Sequence, residues 1–463
     1  MTLRAALLAG LALLALAAPA SAREDTHTFR YGPLKVGPYG VNEKSAQYGI
    51  PTPKVDGFLV GGSVRLVDAA GRPVPMRRVM LHHVIFSNAG SRLGERRNPT
   101  CDRITLFDGV SQVPGLTEPV TGQAEEQIPS KLPPGYGYPV ASDDQWVLSW
   151  MLMNHSAKSD SVFIEYTARV VTGEQLRPAY PVWVDVAGCS MDPIFDVPGG
   201  GGKGSTYSKS RTVPAPFSGR IVAAAGHLHG GGKADVLSQP ACGGRELLRS
   251  VPTWGGPKSE QYRIRPVMHE PGPASMSLVT SAQGFAVRAG EPLELTATYE
   301  NRLPHARAMG IMVLYIAPGE VGDGCAPLPG DVQVERRDGP ADPPDVRVPL
   351  NARRGNSWRE VKRPPGRTAL LDSGDAIDVG RFRFSPANAA VPQGAELRWR
   401  FWDEELHNVT VASGPVGFSS PNASDGRAFA RRVDKPGTYK LFCSIHPVGM
   451  NQTVEVLPKR SRR

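Results

Sequence analysis

The chain has 463 residues, with 53 Lys and Arg against 44 Asp and Glu for a formal net charge of +9, and it is rich in glycine (51) and proline (44). Its basic residues are spread along the chain and only the tail at 459–463 is dense, which argues against a nucleic-acid-binding stripe. No long stretch repeats apolar residues at helical spacing, which excludes a mainly helical protein.

Arg4, an apolar run over residues 5–18 and the small residues Ala20, Ser21 and Ala22 form the pattern of a secretory signal peptide cleaved after Ala22. The run is too short to span a bilayer, and no second run reaches spanning length. The expectation is an exported chain, periplasmic or secreted, without stable membrane insertion. The remaining ~440 residues exceed one core and predict two to four domains. Short alternating runs bounded by Gly, Pro, Asn and Asp, such as those starting at Gly62, Ser161 and Leu293, predict an all-β protein built of sandwiches.

Of the five cysteines, Cys101, Cys189, Cys242 and Cys325 can form two disulfides in an oxidising compartment, with their pairing open. Cys443 is the odd one, because its surroundings explain a free thiolate.

Eight of the ten histidines lie in residues 23–318. His82 and His83 sit side by side in a strand-like run, and His155 follows another. His227 and His229 form a His-x-His, and Met309 lies in a late apolar strand. Side chains alternate along a strand, so the His-x-His puts both imidazoles on one face, suited to one ion. An adjacent pair cannot share a face in a regular strand, so His82 and His83 demand a strand end or a bulge. Any one of these alone reads as a satisfied core histidine, whereas the set points to metal. His305, Arg307 and Tyr315 are possible pocket residues. His27 and His269 read as surface or loop residues. The glycines of 199–204 read as a flexible link, since the run lacks the Lys-Ser/Thr ending of a phosphate cradle.

Residues 319–374 are rich in Pro, Gly, Arg and Asp and read as a linker. Short strands resume over 375–458, enough for one small Greek-key sandwich. Here Cys443-Ser-Ile-His446-Pro-Val-Gly-Met450 follows an upstream His407-Asn-Val. Two imidazoles, a thiolate and a weak thioether are the donors of a mononuclear blue-copper site. Zinc also accepts two His and one Cys, but Met450 and the apolar neighbours Phe442, Ile445, Pro447 and Val448 favour copper. The segment resembles the cupredoxins, the plastocyanin-like and azurin-like proteins, which implies copper held by His407, Cys443, His446 and Met450 and a role in electron transfer.

The order His-His, His, His-x-His, Met along residues 82–309 resembles the copper type II, ascorbate-dependent monooxygenases, the peptidylglycine and dopamine hydroxylase family. That resemblance implies two jelly-roll-like β-sandwiches, 23–190 and 191–318, each holding one type II copper. It implies that His82, His83 and His155 hold an electron-storing copper, and that His227, His229 and Met309 hold the catalytic copper where O2 is used to hydroxylate a C–H bond. Where peptide-amidating members place an Arg two residues before the His-x-His, this chain has Ala225. Two positions that help hold the peptide near the copper Met are here Ile311 and Val313. A small, more apolar organic substrate is therefore expected. The implied donor is an ascorbate-like reductant or a redox protein, and the fused cupredoxin is placed to supply electrons at high effective concentration. The rival readings are a non-catalytic copper-binding or electron-transfer protein, and a matrix protein whose sandwiches are scaffold.

Overall fold

The computed structural model describes residues 23–91, 94–105, 111–114, 117–126, 130–256 and 258–459. The expected signal peptide and the basic tail beyond Lys459 lie outside the described residues. Helix is confined, among these, to Glu260–Arg263 and a 3-10 turn at Pro240–Cys242. The chain is all-β, as its patterning requires.

Three two-layer sandwiches follow one another. In the first, a sheet with Arg23–Val36, Asp160–Thr172 and Gly57–Val67 faces a sheet ordered Val41–Tyr48, Trp146–Asn154, Val79–Asn88, Glu118–Ala124. The strand Trp146–Asn154 shows why: Trp146, Leu148, Trp150 and Leu152 point into one core. Each such buried Leu contributes about 1.5–3 kcal/mol. Its other face is not left to water, because Met153 packs with Met80, Ile264 and Met268.

In the second sandwich, His305–Pro318 lies between Tyr180–Asp185 and Gly219–Leu228, and Pro292–Glu300 leads the facing sheet. Tyr180 pairs with Ile316 and Asp185 with Ile311, so this sheet begins at Tyr180, ahead of the start expected at residue 191. An apolar run such as Tyr-Pro-Val-Trp-Val-Asp carries no mark of which neighbouring sheet it joins.

The stretch 319–374 is more structured than a linker. Gln333–Glu335 adds a strand to the second sandwich, and Leu350–Arg354 pairs with Ser357–Val361. Val348 and Leu350 bury against Val267 on one side and Ala412 and Phe442 on the other.

The third sandwich spans Ala369 to Leu457. It mixes parallel pairs, Asn388–Pro392 with Asn451–Leu457 and Ala376–Gly380 with Ala395–Phe401, with antiparallel ones. Trp399, Leu441 and Val454 are fully buried in its core. Disulfides join Cys101 to Cys189 and Cys242 to Cys325, and Cys443 is free and buried. No helix among the described residues is long and apolar enough to cross a membrane.

Candidate metal centres

Cys443 ends the strand Gly437–Phe442, and a short loop returns the chain to Asn451–Leu457. The loop is closed by its own backbone: the Cys443 N–H donates to the Met450 carbonyl and the His446 N–H to the Cys443 carbonyl, both at 3.1 Å. His407 comes from the neighbouring chain segment, where its backbone pairs with Ala423.

The donor atoms of His407, Cys443 and His446 converge. The two Nδ1 atoms stand 3.2 Å apart, and Cys443 Sγ is 3.6 Å from His446 Nδ1. Met450 is buried in the same core as Cys443. The outer nitrogens are held separately, His407 Nε2 by Asp403 at 3.1 Å and His446 Nε2 by Glu405 at 3.7 Å. Asn408 donates its N–H to the sulfur at 3.3 Å, while its side chain bonds Ser444 and Asn422. Such partners fix the orientation of first ligands.

Burial pushes the Cys443 thiol up and both imidazoles down, His446 to about 4. Neutral imidazoles and a sulfur already accepting an N–H are what a soft cation needs, so the donor set fits copper.

The N-terminal histidines gather where the first two sandwiches meet. In Val79–Asn88 the register slips: Leu81 pairs with Leu152 and His83 with Met151, leaving His82 as the extra residue of a β-bulge. The bulge turns both imidazoles the same way, with Nδ1 atoms 3.3 Å apart. His227 and His229 share a face, as their spacing requires, with ring centroids 5.1 Å apart while Leu228 buries in the core behind them. His82 and His229 meet edge to face at 5.8 Å.

The second pair is prepared for a ligand. His229 donates Nδ1–H to the Arg307 carbonyl at 2.7 Å, and His227 Nδ1 faces the Glu126 carboxylate at 2.5 Å. Both Nε2 atoms are thereby left free to act as donors to a metal. Met309 lines two cavities, one shared with His82, His83 and His229 and the other with His83 and His227. Tyr299 accepts the His229 N–H and donates to the Met309 carbonyl, tying the two positions together.

His155 follows the strand Trp146–Asn154. It is buried, bonds the Pro266 carbonyl through Nδ1 at 3.1 Å and leaves Nε2 without a partner. Burial holds His82 and His229 well below the usual imidazole range and takes His83 and His155 to about 4. His227 is the exception: burial pulls it down, but Glu126 outweighs this and raises it.

Several site residues carry no sequence signal. His269, expected on a surface or loop, is half-buried with its ring 4.9 Å from His82 and hydrogen-bonded to Glu125. Its loop turns inward because Val267 and Met268 anchor it in apolar clusters. Glu125 and Glu126 follow Ala124, which pairs with His83. Glu43, pushed up to about 7 by burial and then by Asp192, lines the same cavity.

That cavity also touches the third sandwich, at Thr410, Phe442, Ser444 and Ile445. The junction is bonded: Asp196 accepts from Ser419 N–H at 2.9 Å, Arg307 donates to the Ser420 carbonyl at 3.3 Å, and Gly417 N–H donates to the Pro198 carbonyl at 2.8 Å. A second cavity, of about 160 Å³, runs from His83, His227 and Met309 along Trp183, Ala224, Ala225, Leu278, Ile311 and Val313. The three positions singled out in the sequence, Ala225, Ile311 and Val313, form part of its apolar wall.

No curated protein matches the chain. The family of copper binding proteins described as plastocyanin/azurin matches residues 374–457. Among solved structures, the reduced state of an amicyanin mutant is 24% identical over 18% of this chain and 80% of its own, with a TM-score of 0.17. A purple cupredoxin from Nitrosopumilus maritimus is 29% identical over 19% of this chain and 98% of its own, with a TM-score of 0.16. With the family match lying on the segment that carries His407, Cys443, His446 and Met450, the C-terminal domain is a copper-binding domain of the plastocyanin/azurin kind.

Proposed function

We propose that the protein is an exported copper monooxygenase that hydroxylates a C–H bond of a small apolar molecule, with its cupredoxin domain delivering the electrons. The observation that carries this reading is the shared cavity, lined by His82, His83, His229 and Met309 on one side and by Phe442, Ser444 and Ile445 of the cupredoxin on the other. Hydroxylation consumes O2, two electrons and two protons and yields the alcohol and water. Copper at His82, His83 and His155, at His227, His229 and Met309, and at the cupredoxin site would supply the one-electron and O2 chemistry.

The chain's own residues account for the rest. Glu126 and the Arg307 carbonyl hold His227 and His229 with Nε2 inward. Glu43, titrating near neutrality, is placed to release a proton into the cavity. The apolar wall at Ala225, Ile311 and Val313 suits a hydrocarbon-like substrate. Export is supported by the pattern before Ala22 and by the two disulfides.

The test is copper per chain, with optical and EPR spectra and O2 uptake on reduction, for the mature parent and His227→Ala. One blue and two type II coppers, falling by one in the variant together with O2 uptake, support the reading. A single blue copper unaffected by the mutation, or bound copper without O2 uptake, overturns it and leaves a copper-binding electron carrier.

A further inference from the structure

We infer that His82, His269 and Glu125 form a metal site of their own, taking a divalent borderline cation such as Cu(II) or Zn(II), and that this ion pins the first two sandwiches together. The inference deepens the reading above, but concerns only where an ion sits.

One donor atom from each of the three residues falls within 4.8 Å of the others. Glu125 is 6% exposed and its orientation is fixed: Oε2 accepts the Gly272 N–H at 3.0 Å, which turns Oε1 towards both imidazoles. His269 Nε2 bonds Oε1, and His82 Nε2 stands 3.8 Å from it. That is too long for a hydrogen bond. It is close to the spacing of two ligands on one ion, whose bonds to N and O run about 2.0–2.2 Å.

A plain His269–Glu125 ion pair leaves the aim of His82 Nε2 unexplained. With Nε2 on this ion, His82 keeps its Nδ1 proton for His83, so it serves this ion in place of the copper assigned above to His82, His83 and His155. Two imidazoles and a carboxylate suit a divalent ion better than Cu(I), which favours softer donors. His82 and Glu125 belong to the first sandwich, whereas His269 lies in the excursion between Pro252–Thr253 and Ser275–Met276 of the second. An ion here would resist their separation, since whatever binds only the assembled state stabilises it.

The experiment uses the full mature chain with its blue site first filled with copper and monitored by its visible absorption. Zn(II) is then titrated, and bound zinc and melting temperature are measured for the parent, His269→Ala, Glu125→Gln and the surface control His27→Ala. The expected result is one zinc fewer in His269→Ala, an affinity ~10–100-fold lower in Glu125→Gln, and a zinc-dependent melting rise lost in both. The blue absorption and His27→Ala should match the parent. Glu125→Gln keeps the side chain's size, so it serves if His269→Ala fails to fold. Unchanged zinc content and melting rise in both variants overturn the inference, even if O2 uptake upholds the monooxygenase. A zinc lost with His269 in a chain that takes up no O2 upholds this site and overturns the monooxygenase.

Discussion

His82 of the first sandwich and His229 of the second stand edge to face with ring centroids 5.8 Å apart. His82 is turned out by a bulge and His229 projects just past the end of Gly219–Leu228. The metal-binding candidates of the two sandwiches therefore form one neighbourhood, and the mutations below are expected to be coupled rather than additive.

Replacing Glu126 by Gln removes the carboxylate that holds His227 at 2.5 Å. Copper affinity at the His227–His229 pair should fall about 10–100-fold while the blue absorption is unchanged. Competition titration against a chelator of known affinity measures this.

Cys443→Ser should abolish the intense visible band and stop turnover supported by a protein donor. Turnover with a small reductant that can enter the cavity should persist. Parallel assays with the two donors decide whether the cupredoxin is the entry point for electrons.

Ala225→Phe would fill the apolar cavity beside His227. Copper content should stay constant, while KM for an apolar substrate rises at least tenfold; overpacking of this kind costs about 1–3 kcal/mol.

The pH dependence of folding should show the charge on His305. Burial opposes that charge, but Glu270 at 2.8 Å and Glu300 at 3.3 Å outweigh it and raise the imidazole to about 9. A pKa raised above the unfolded value means stabilisation that is complete below pH ~6.5 and is lost as pH climbs through about 9. The loss should be on the order of 3 kcal/mol. Melting curves between pH 6 and 10 should fall along this window in the parent and be flatter in His305→Gln.

Asn408→Ala should loosen the copper loop, since its side chain bonds both Ser444 and Asn422 in a buried setting. A destabilisation of about 1–3 kcal/mol is expected, read as a lower denaturation midpoint of the cupredoxin.

Much of this was legible in local sequence. The His-x-His of His227 and His229 needed only strand periodicity, and the adjacency of His82 and His83 demanded a strand end or a bulge, of which the bulge is found. The ligand loop from Cys443 to Met450 is short enough to read as a unit. What stayed hidden depends on distance along the chain. Glu125 and His269 are 144 residues apart, and the segment holding His269 is rich in Pro, Gly and charged residues, like any surface loop. Its inward turn is set by Val267 and Met268 packing against other domains. Likewise the pairing of Tyr180–Asp185 with the second sheet rests on a partner strand more than a hundred residues downstream.

Asn351 has a consequence for kinetics. Its carbonyl accepts the Gly449 N–H of the copper loop at 2.7 Å, and its amide donates to the Val267 carbonyl at 2.8 Å, beside the Pro266 that holds His155. The cupredoxin domain is thus clasped against the N-terminal sandwiches rather than swinging on a leash, and the proposed electron transfer would cross a fixed contact. Internal electron delivery should then be first order, indifferent to dilution and nearly indifferent to salt, whereas a freely diffusing cupredoxin would show both dependences.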